Sequence, residues 1–348
     1  MDLSALYDRV ASALFGRGGA DAGDEVDKQL VADMTELVVE TVDSRLRLQP
    51  RYADKLEGCM RKTIAHLRAM GRQPMEPLLL SRAAWTADPR LNAYFASADD
   101  VPALLGRSRE LRAFFSTPAN RELGEAYALL AMKREERSVL GNRQEGDRVL
   151  SDVVLATVSF SGHRLFAPSA TLEATRLEVG RRIIRRLAEL ALKRVVDLDM
   201  KATELGERKA WLAARLRLVK LSIDGAAGLL EDTVETRSQM AALERELAET
   251  VHEFIETKAS ISTLDRVRQH IETVFGNPEQ HLSLRQVPMR LSRMGVRVDD
   301  DSQGPANEFV LSELAIGDGL DVAITLVRCP LAEMPPERDP LANAERFI

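Results

Sequence analysis

Residues 171–224, which decide the fold, read TLEATRLEVGRRIIRRLAELALKRVVDLDMKATELGERKAWLAARLRLVKLSID. Apolar side chains recur there at every seventh position, and other apolar residues partly fill the companion position of each heptad. A strict seven-residue repeat is typical of a helix that supercoils against a partner helix. The series consists of Leu177, Ile184, Ala191, Leu198, Leu205, Leu212 and Val219.

A second heptad series identifies the partner. It follows a glycine-bearing stretch at residues 222–228, includes Met240, Leu247 and Phe254, and ends at the helix stop Gly276-Asn277-Pro278. The first arm is basic and the second is acidic, so their charges favour mutual pairing. We therefore predict an antiparallel coiled-coil hairpin over residues 171–276.

The alternative is one continuous helix in a parallel dimer. Its two interior glycines, Gly225 and Gly228, would each cost about 1 kcal/mol relative to alanine. This cost disfavours the continuous helix, but the sequence leaves both arrangements open.

The apolar pattern changes to period two on either side of the predicted hairpin. Residues 153–160, 293–298, 309–316 and 320–327 each predict a strand, and Gly317-Asp318-Gly319 predicts the turn between the last two. Because one strand enters the hairpin and another leaves it, we expect a small antiparallel or mixed sheet at the base of the hairpin.

Helical periodicity dominates the first 145 residues. Asp88-Pro89 places a capping residue before a proline at the first helical position, and Thr117-Pro118 predicts a helix that runs to about Leu140. The prediction is a mainly α chain with a small β part, in the α+β class. Its regions are a helical bundle domain at 1–145, an α+β subdomain with about four strands at 146–170 plus 277–330, the hairpin insertion at 171–276, and a loosely ordered tail at 331–348.

Composition and charge restrict the classes of function. The chain has 348 residues and a net charge of -6, so no overall positive field attracts it to nucleic acid or to an anionic membrane. Its two cysteines are too few for a disulfide framework and fit a reducing compartment. We see neither a signal peptide nor an apolar run of the roughly 18 residues that span a membrane. We therefore expect a cytoplasmic protein without a membrane partner.

Fragments that resemble chemical motifs do not complete them. Residues 299–304 open like a calcium-binding loop, but the twelfth position is Val310 rather than an acid. Glu249 and His252 have the spacing of a carboxylate-bridged di-iron site, yet no second such pair is visible. The sequence therefore predicts no catalytic residue, no metal site and no cofactor. An enzyme whose site is assembled from scattered groups stays an alternative.

A basic cluster near the base of the predicted hairpin is the strongest candidate site. Four arginines fall on one side of the first helix, opposite its apolar residues, and two more lie on one face of predicted strand 293–298. They either bind an anionic partner or cover apolar surface and pair with acids of the N-terminal helices. These residues are Arg181, Arg182, Arg185, Arg186, Arg293 and Arg297.

The leading prediction is a non-enzymatic cytoplasmic interaction or scaffold protein that uses the projecting hairpin. Its partner would be another protein or, through the coiled coil, a second copy of this chain. The alternative is a nucleic-acid-associated accessory factor that binds through the arginine cluster. Nucleic acid is the weaker candidate, because interleaved aromatic residues are missing and the adjacent Asp299, Asp300 and Asp301 would repel phosphate.

Overall fold

The structure, a computed structural model, describes residues 28–145, 148–224, 234–298, 306–317 and 319–336. The chain divides into two units. The sheet unit consists of Met1–Asp33, Arg61–Ile184 and Pro278–Ile348, and the helical unit consists of Met34–Met60 and Arg185–Asn277.

Short helices fill the N-terminal region, as the sequence predicts. The capping signal at Asp88 is confirmed, since its carboxylate accepts a hydrogen bond from the backbone N–H of Arg90 at 2.8 Å, with Pro89 at the first helical position. The helices are α1 (Lys28–Val42), α2 (Tyr52–Gly71), α3 (Ala84–Ala87), α4 (Pro89–Tyr94), α5 (Asp100–Arg107) and α6 (Arg109–Ser116), with 3-10 turns at Ser44–Leu48 and Pro118–Asn120.

The strands form one sheet in the order β3-β2-β6-β5-β4, in which each neighbouring pair is antiparallel. The strand β1 adds a short parallel pairing to β6. Predicted strands 153–160, 309–316 and 320–327 are confirmed within longer strands. The strands are β1 (Leu78–Leu79), β2 (Glu125–Glu145), β3 (Arg148–Ser169), β4 (Leu282–Leu291), β5 (Asn307–Ile316) and β6 (Leu320–Pro330).

The predicted helix from Thr117 to Leu140 is wrong, because most of it forms β2. Residues 125–132 pair with β6, those from Tyr127 onward also pair with β3, and the side chains of this stretch are largely covered on both faces of the sheet. A strand covered on both faces lacks the polar and apolar alternation that marks a strand in sequence. The helical part of the first 145 residues therefore ends at Asn120, and the sheet is larger than the predicted four strands.

The predicted strand at 293–298 is also misplaced. The strand β4 ends at Leu291, and residues 292–295 form a turn that is followed only by isolated bridges at Val296 and Arg297. Pro288, inside β4, argues against a strand in the sequence. Because β4 lies at the edge of the sheet beside β5, it tolerates a residue that lacks a backbone donor.

Helices cover both faces of the sheet. On one face, buried residues of α4, α5 and α6 pack with apolar side chains of β2, β5 and β6 in one core cluster. On the other face, the end of α2 is fastened to β4, where His66 Nε2 lies 2.8 Å from the carbonyl oxygen of Leu282. The first turns of the long helix α7 (Leu172–Asp224) are bound to β2, since the Thr175 hydroxyl donates a hydrogen bond to the Tyr127 carbonyl at 3.0 Å.

The long helical region is divided differently from the prediction. The predicted second arm is interrupted at residues 260–263, where Thr263 caps a new helix by accepting a hydrogen bond from the backbone N–H of Arg266. The predicted turn at Gly225 and Gly228 lies outside the described residues, as do residues 337–348 of the tail. The helices are α7 (Leu172–Asp224), α8 (Val234–Ala259), α9 (Leu264–Phe275) and α10 (Pro278–His281).

Within the helical unit, α7 and α8 contact each other in opposite chain directions. Leu212 and Leu216 of α7 pack with Leu243 of α8 in a small buried cluster. Ion pairs flank this cluster, and residues later in α7 meet residues earlier in α8. These pairs are Asp199–Lys258, Lys201–Glu253, Arg208–Glu246 and Lys220–Glu244.

Candidate functional site

Two of the predicted arginines, Arg181 and Arg182, lie on α7 in the sheet unit and share one carboxylate. Glu178 accepts from Arg181 Nη1 at 3.2 Å and from Arg182 Nε at 3.2 Å. Arg182 also forms a two-point pair with Glu110 on α6. Acids of this chain therefore already contact both guanidinium groups.

The electrostatics of Arg182 follow from these contacts. The pKa of Arg182 is raised above its ordinary value, chiefly by the hydrogen bond with Glu110, although partial burial acts in the opposite direction. Its charge is thus fixed at all physiological pH values. A phosphate that approached this side chain would compete with two carboxylates rather than meet an unpaired cation.

The other two arginines of α7 belong to the helical unit and are exposed. Arg186 pairs with Glu189 on the same helix at 3.0 Å. The side chain of Arg185 makes no hydrogen bond or ion pair with any residue that the structure describes. Surface pairs at this spacing are weak, so this short stretch keeps its positive character.

The remaining pair, Arg293 and Arg297, lies at a turn rather than along one strand face. Gly295 sits between them with a φ of +74°. Backbone bonds fasten the turn to β3, since Val158 donates to the Gly295 carbonyl at 2.7 Å and Arg297 donates to the Ala156 carbonyl at 2.8 Å. Both arginine side chains are exposed.

Arg293 lines a groove between this turn, α3 and α4. The volume of the groove is about 560 Å³. The polar atoms on its walls are largely used within the chain, as Trp85 donates to the Phe95 carbonyl and Asn307 donates to Asn92. Asp88 also lines the groove.

The carboxylate of Asp88 is not suited to general base catalysis. Burial alone would raise its pKa, but hydrogen bonds from Arg90 outweigh that effect and the pKa of Asp88 is lowered. Tyr94 lies in the same wall, and burial raises its pKa above the ordinary value, so it stays protonated. Neither group has the pKa near neutrality that proton transfer requires.

An exposed apolar stripe on α7 is a feature that the sequence patterns do not predict. The exposed fractions are 67% for Met200, 57% for Trp211, 67% for Leu218 and 61% for Leu221. The four residues occupy two positions of the heptad, Trp211 and Leu218 at one and Met200 and Leu221 at the other, on the opposite side of the helix from Leu212 and the other residues that face α8. The seven-residue spacing of Trp211 and Leu218 was the available signal.

Comparison of the chain with protein-family models, with curated proteins and with solved structures finds no match. Among the described residues, no group of three or more His, Cys, Asp or Glu side chains is placed to hold a metal ion. None of the described helices is both long enough and apolar enough to cross a membrane.

Proposed function

We propose that this protein is a cytoplasmic interaction or scaffold protein and that its contact surface is the stripe formed by Met200, Trp211, Leu218 and Leu221. The observation that carries the proposal is the exposure of these four large apolar side chains on one side of α7. Large apolar side chains exposed on one side of a helix are typical of interaction sites, and tryptophan is among the residues that contribute most to binding energy.

The proposal includes a coiled-coil hairpin made by α7 and α8. The supporting contacts are the buried cluster around Leu212 and Leu243 and the antiparallel order of the ion pairs between the two helices. In this arrangement one side of α7 binds α8 and the other side is left for a partner. The free side has heptad spacing, so the partner that fits it is another helix.

Charge supports a protein partner over nucleic acid. Arg181 and Arg182 are already paired with Glu178 and Glu110, which weakens the case for the arginine cluster as a phosphate site. The stripe itself is apolar and is flanked by residues of both signs. The free, buried thiols of Cys59 and Cys329 support the cytoplasmic location.

Site-specific photo-cross-linking in the native host tests the proposal. Benzoylphenylalanine at position 211 is expected to yield a defined adduct, whereas the same group at position 213 serves as the matched control. Ala213 is exposed on the same helix but lies off the stripe. An adduct of twice the chain mass of 38.6 kDa would identify a second copy as the partner.

A pair of double variants provides the complementary experiment. Trp211→Glu with Leu218→Glu places charge on the stripe and is expected to abolish the adduct or co-purified partner. Ala210→Glu with Ala213→Glu adds the same charge at exposed positions off the stripe and should leave partner capture intact. Equal capture by both double variants, or equal adduct yield at positions 211 and 213, would contradict the proposal.

A further inference from the structure

The charged side chains of α7 differ in their partners according to the side of the helix that they occupy. Charged residues beside α8 form ion pairs with it, as Arg208 does with Glu246 at 2.8 Å. Glu204 and Arg215 instead flank the apolar stripe, and both are exposed. Neither side chain forms an ion pair with any residue that the structure describes, although the Arg215 guanidinium lies over the Trp211 ring at 5.3 Å.

The stripe and its two flanking charges are arranged symmetrically along α7. Met200 and Leu221 lie 10 and 11 residues on either side of position 210, and Glu204 and Arg215 lie 6 and 5 residues from it. At a rise of about 1.5 Å per residue, the two members of each pair are at nearly equal distances from this level. Glu204 and Arg215 are also on the same flank of the stripe, since 11 residues bring a helix back to within about 20° of the same direction.

We infer that the partner of the α7 stripe is a second copy of this chain, bound in the antiparallel direction. A two-fold axis across the interface at the level of residue 210 joins the same flank of both helices and brings each end of the stripe against the opposite end of its copy. Met200 then packs with Leu221 of the second copy, and Glu204 pairs with Arg215 of the second copy. Because the axis repeats every contact, two such ion pairs enclose the two Trp211 side chains.

The flanking charges also select the antiparallel direction over the parallel one. In a parallel two-fold pair each residue meets its own counterpart, so Glu204 would face Glu204 and Arg215 would face Arg215. Such like-charge contacts oppose pairing, whereas opposite charges on the flanks of paired helices set their orientation. In the antiparallel pair, Glu207 within the stripe lies level with the small Ala214 of the second copy rather than with its own counterpart.

This inference rests on the proposed function, because it names the partner of the same stripe. Sedimentation equilibrium of the purified full chain tests it, and we expect a dimer of twice the chain mass of 38.6 kDa. Glu204→Arg alone and Arg215→Glu alone each place like charges together at both flanks, so each should raise the dissociation constant about tenfold or more. The double variant that carries both changes restores opposite charges and should dimerise as the unmodified chain does.

A mixture of the two single variants tests the antiparallel register directly. In the mixed dimer, position 204 of each chain faces an opposite charge at position 215 of the other chain. Glu204→Arg and Arg215→Glu should therefore pair with each other about as tightly as two unmodified chains do. Glu249→Arg is the matched control, since it makes the same charge change at an exposed position of α8 and should leave the dissociation constant unchanged. Circular dichroism verifies that each variant is folded.

Two results would overturn the second copy as the partner. One is an unmodified chain that stays monomeric, and the other is a dimer that Trp211→Glu with Leu218→Glu does not weaken. Weak pairing in the mixture of single variants would overturn the antiparallel register. A monomeric chain that still yields an adduct with a different protein through position 211 would reject the second copy alone, because the stripe would remain the contact surface of the proposed function.

Discussion

Glu110 and Arg182 form a two-point ion pair, with Oε1 3.1 Å from Nη1 and Oε2 2.9 Å from Nη2. The same carboxylate accepts a hydrogen bond from the backbone N–H of Ala167 at 3.1 Å. Ala167 has a φ of +55°, which is uncommon for a residue with a side chain. One carboxylate therefore joins α6, the end of β3 and the start of α7.

Replacing Glu110 should show how much the contacts of its carboxylate contribute to the free energy of unfolding. Glu110→Gln keeps an acceptor for Ala167 but loses the ion pair with Arg182, and we expect it to lower the free energy of unfolding by about 1 kcal/mol, because both side chains are partly exposed. Glu110→Ala also removes the acceptor and should cost about 2 kcal/mol. Urea unfolding followed by circular dichroism measures both. Equal stability of the two variants would assign no role to the Ala167 hydrogen bond.

Gly295 should be among the least replaceable residues of the sheet unit. A Cβ atom at this position would lie 2.7 Å from the carbonyl oxygen of Val158, and its φ of +74° is unfavourable for residues with side chains. We expect Gly295→Ala to cost about 3 kcal/mol or more, since it combines backbone strain with the loss of a strand contact.

Gly162→Ala is the control that measures the cost of a positive φ without a steric contact. Gly162 has a φ of +64°, but a Cβ atom there would meet nothing within 4 Å. We expect a cost of about 1–2 kcal/mol in the same urea measurement. Equal costs at Gly162 and Gly295 would show that the contact with Val158 does not restrict position 295.

The parts of the fold that the sequence predicts are those with a strong local signal. The strands β5 and β6 were found because a glycine-bearing turn separates two extended runs, and the α7 heptads were found because helical surface alternates with core. The strand β2 was missed because Ala126, Ala128 and Leu130 face one core while Leu129 faces the other side of the sheet. This run also contains residues that favour helix, so its local sequence does not predict a strand. Its strand conformation depends on its pairing with β6 and β3.

The candidate sites were less predictable than the fold. Charge patterning located Arg181 and Arg182, but the acid that pairs with Arg182, Glu110, is 72 residues away in sequence. The surroundings of each sheet residue depend on strand order, and strand order is not encoded in any local pattern. Trp211 was visible in the sequence, but its exposure follows only from knowing which side of α7 meets α8.

His163 should make stability depend on pH below neutrality. Burial lowers its pKa below the ordinary 6.5, and the ring stacks on Phe95 at 4.7 Å while Nε2 bonds to the Tyr94 carbonyl. Above pH 6.5 both folded and unfolded chains hold a neutral imidazole. As the pH falls below 6.5, the unfolded chain binds a proton first, so the folded state loses stability by up to about 1.4 kcal/mol per pH unit.

The measurement compares urea unfolding at pH 7 and pH 5. His163→Gln keeps a donor for the Tyr94 carbonyl but does not titrate, so its stability should fall less over this interval than that of the unmodified chain. His252→Gln is the control, since His252 is exposed on α8. The prediction fails if both variants reduce the pH dependence equally.

The two thiols should be unreactive in the folded chain. Burial is the main cause that raises the pKa of Cys59 to about 11 and the pKa of Cys329 to about 12, so the reactive thiolate is scarce at pH 8. An aromatic disulfide reagent is expected to label both cysteines quickly in urea and very slowly without it. Rapid labelling of one cysteine in the folded chain would reveal local opening around that residue.

Substitutions of two leucines of α7 should distinguish packing within the chain from binding of a partner. Leu212 is fully buried against Leu243, whereas Leu218 is 67% exposed on the opposite side of the helix. Leu212→Ala should lower the free energy of unfolding by about 2–4 kcal/mol, because it leaves a cavity between α7 and α8. Leu218→Ala should change it by less than about 0.5 kcal/mol and yet reduce partner capture, because the stripe serves a contact outside the chain. If Leu218→Ala instead destabilises the isolated chain as much as Leu212→Ala, the stripe is already covered by this chain and the proposed interaction surface is wrong.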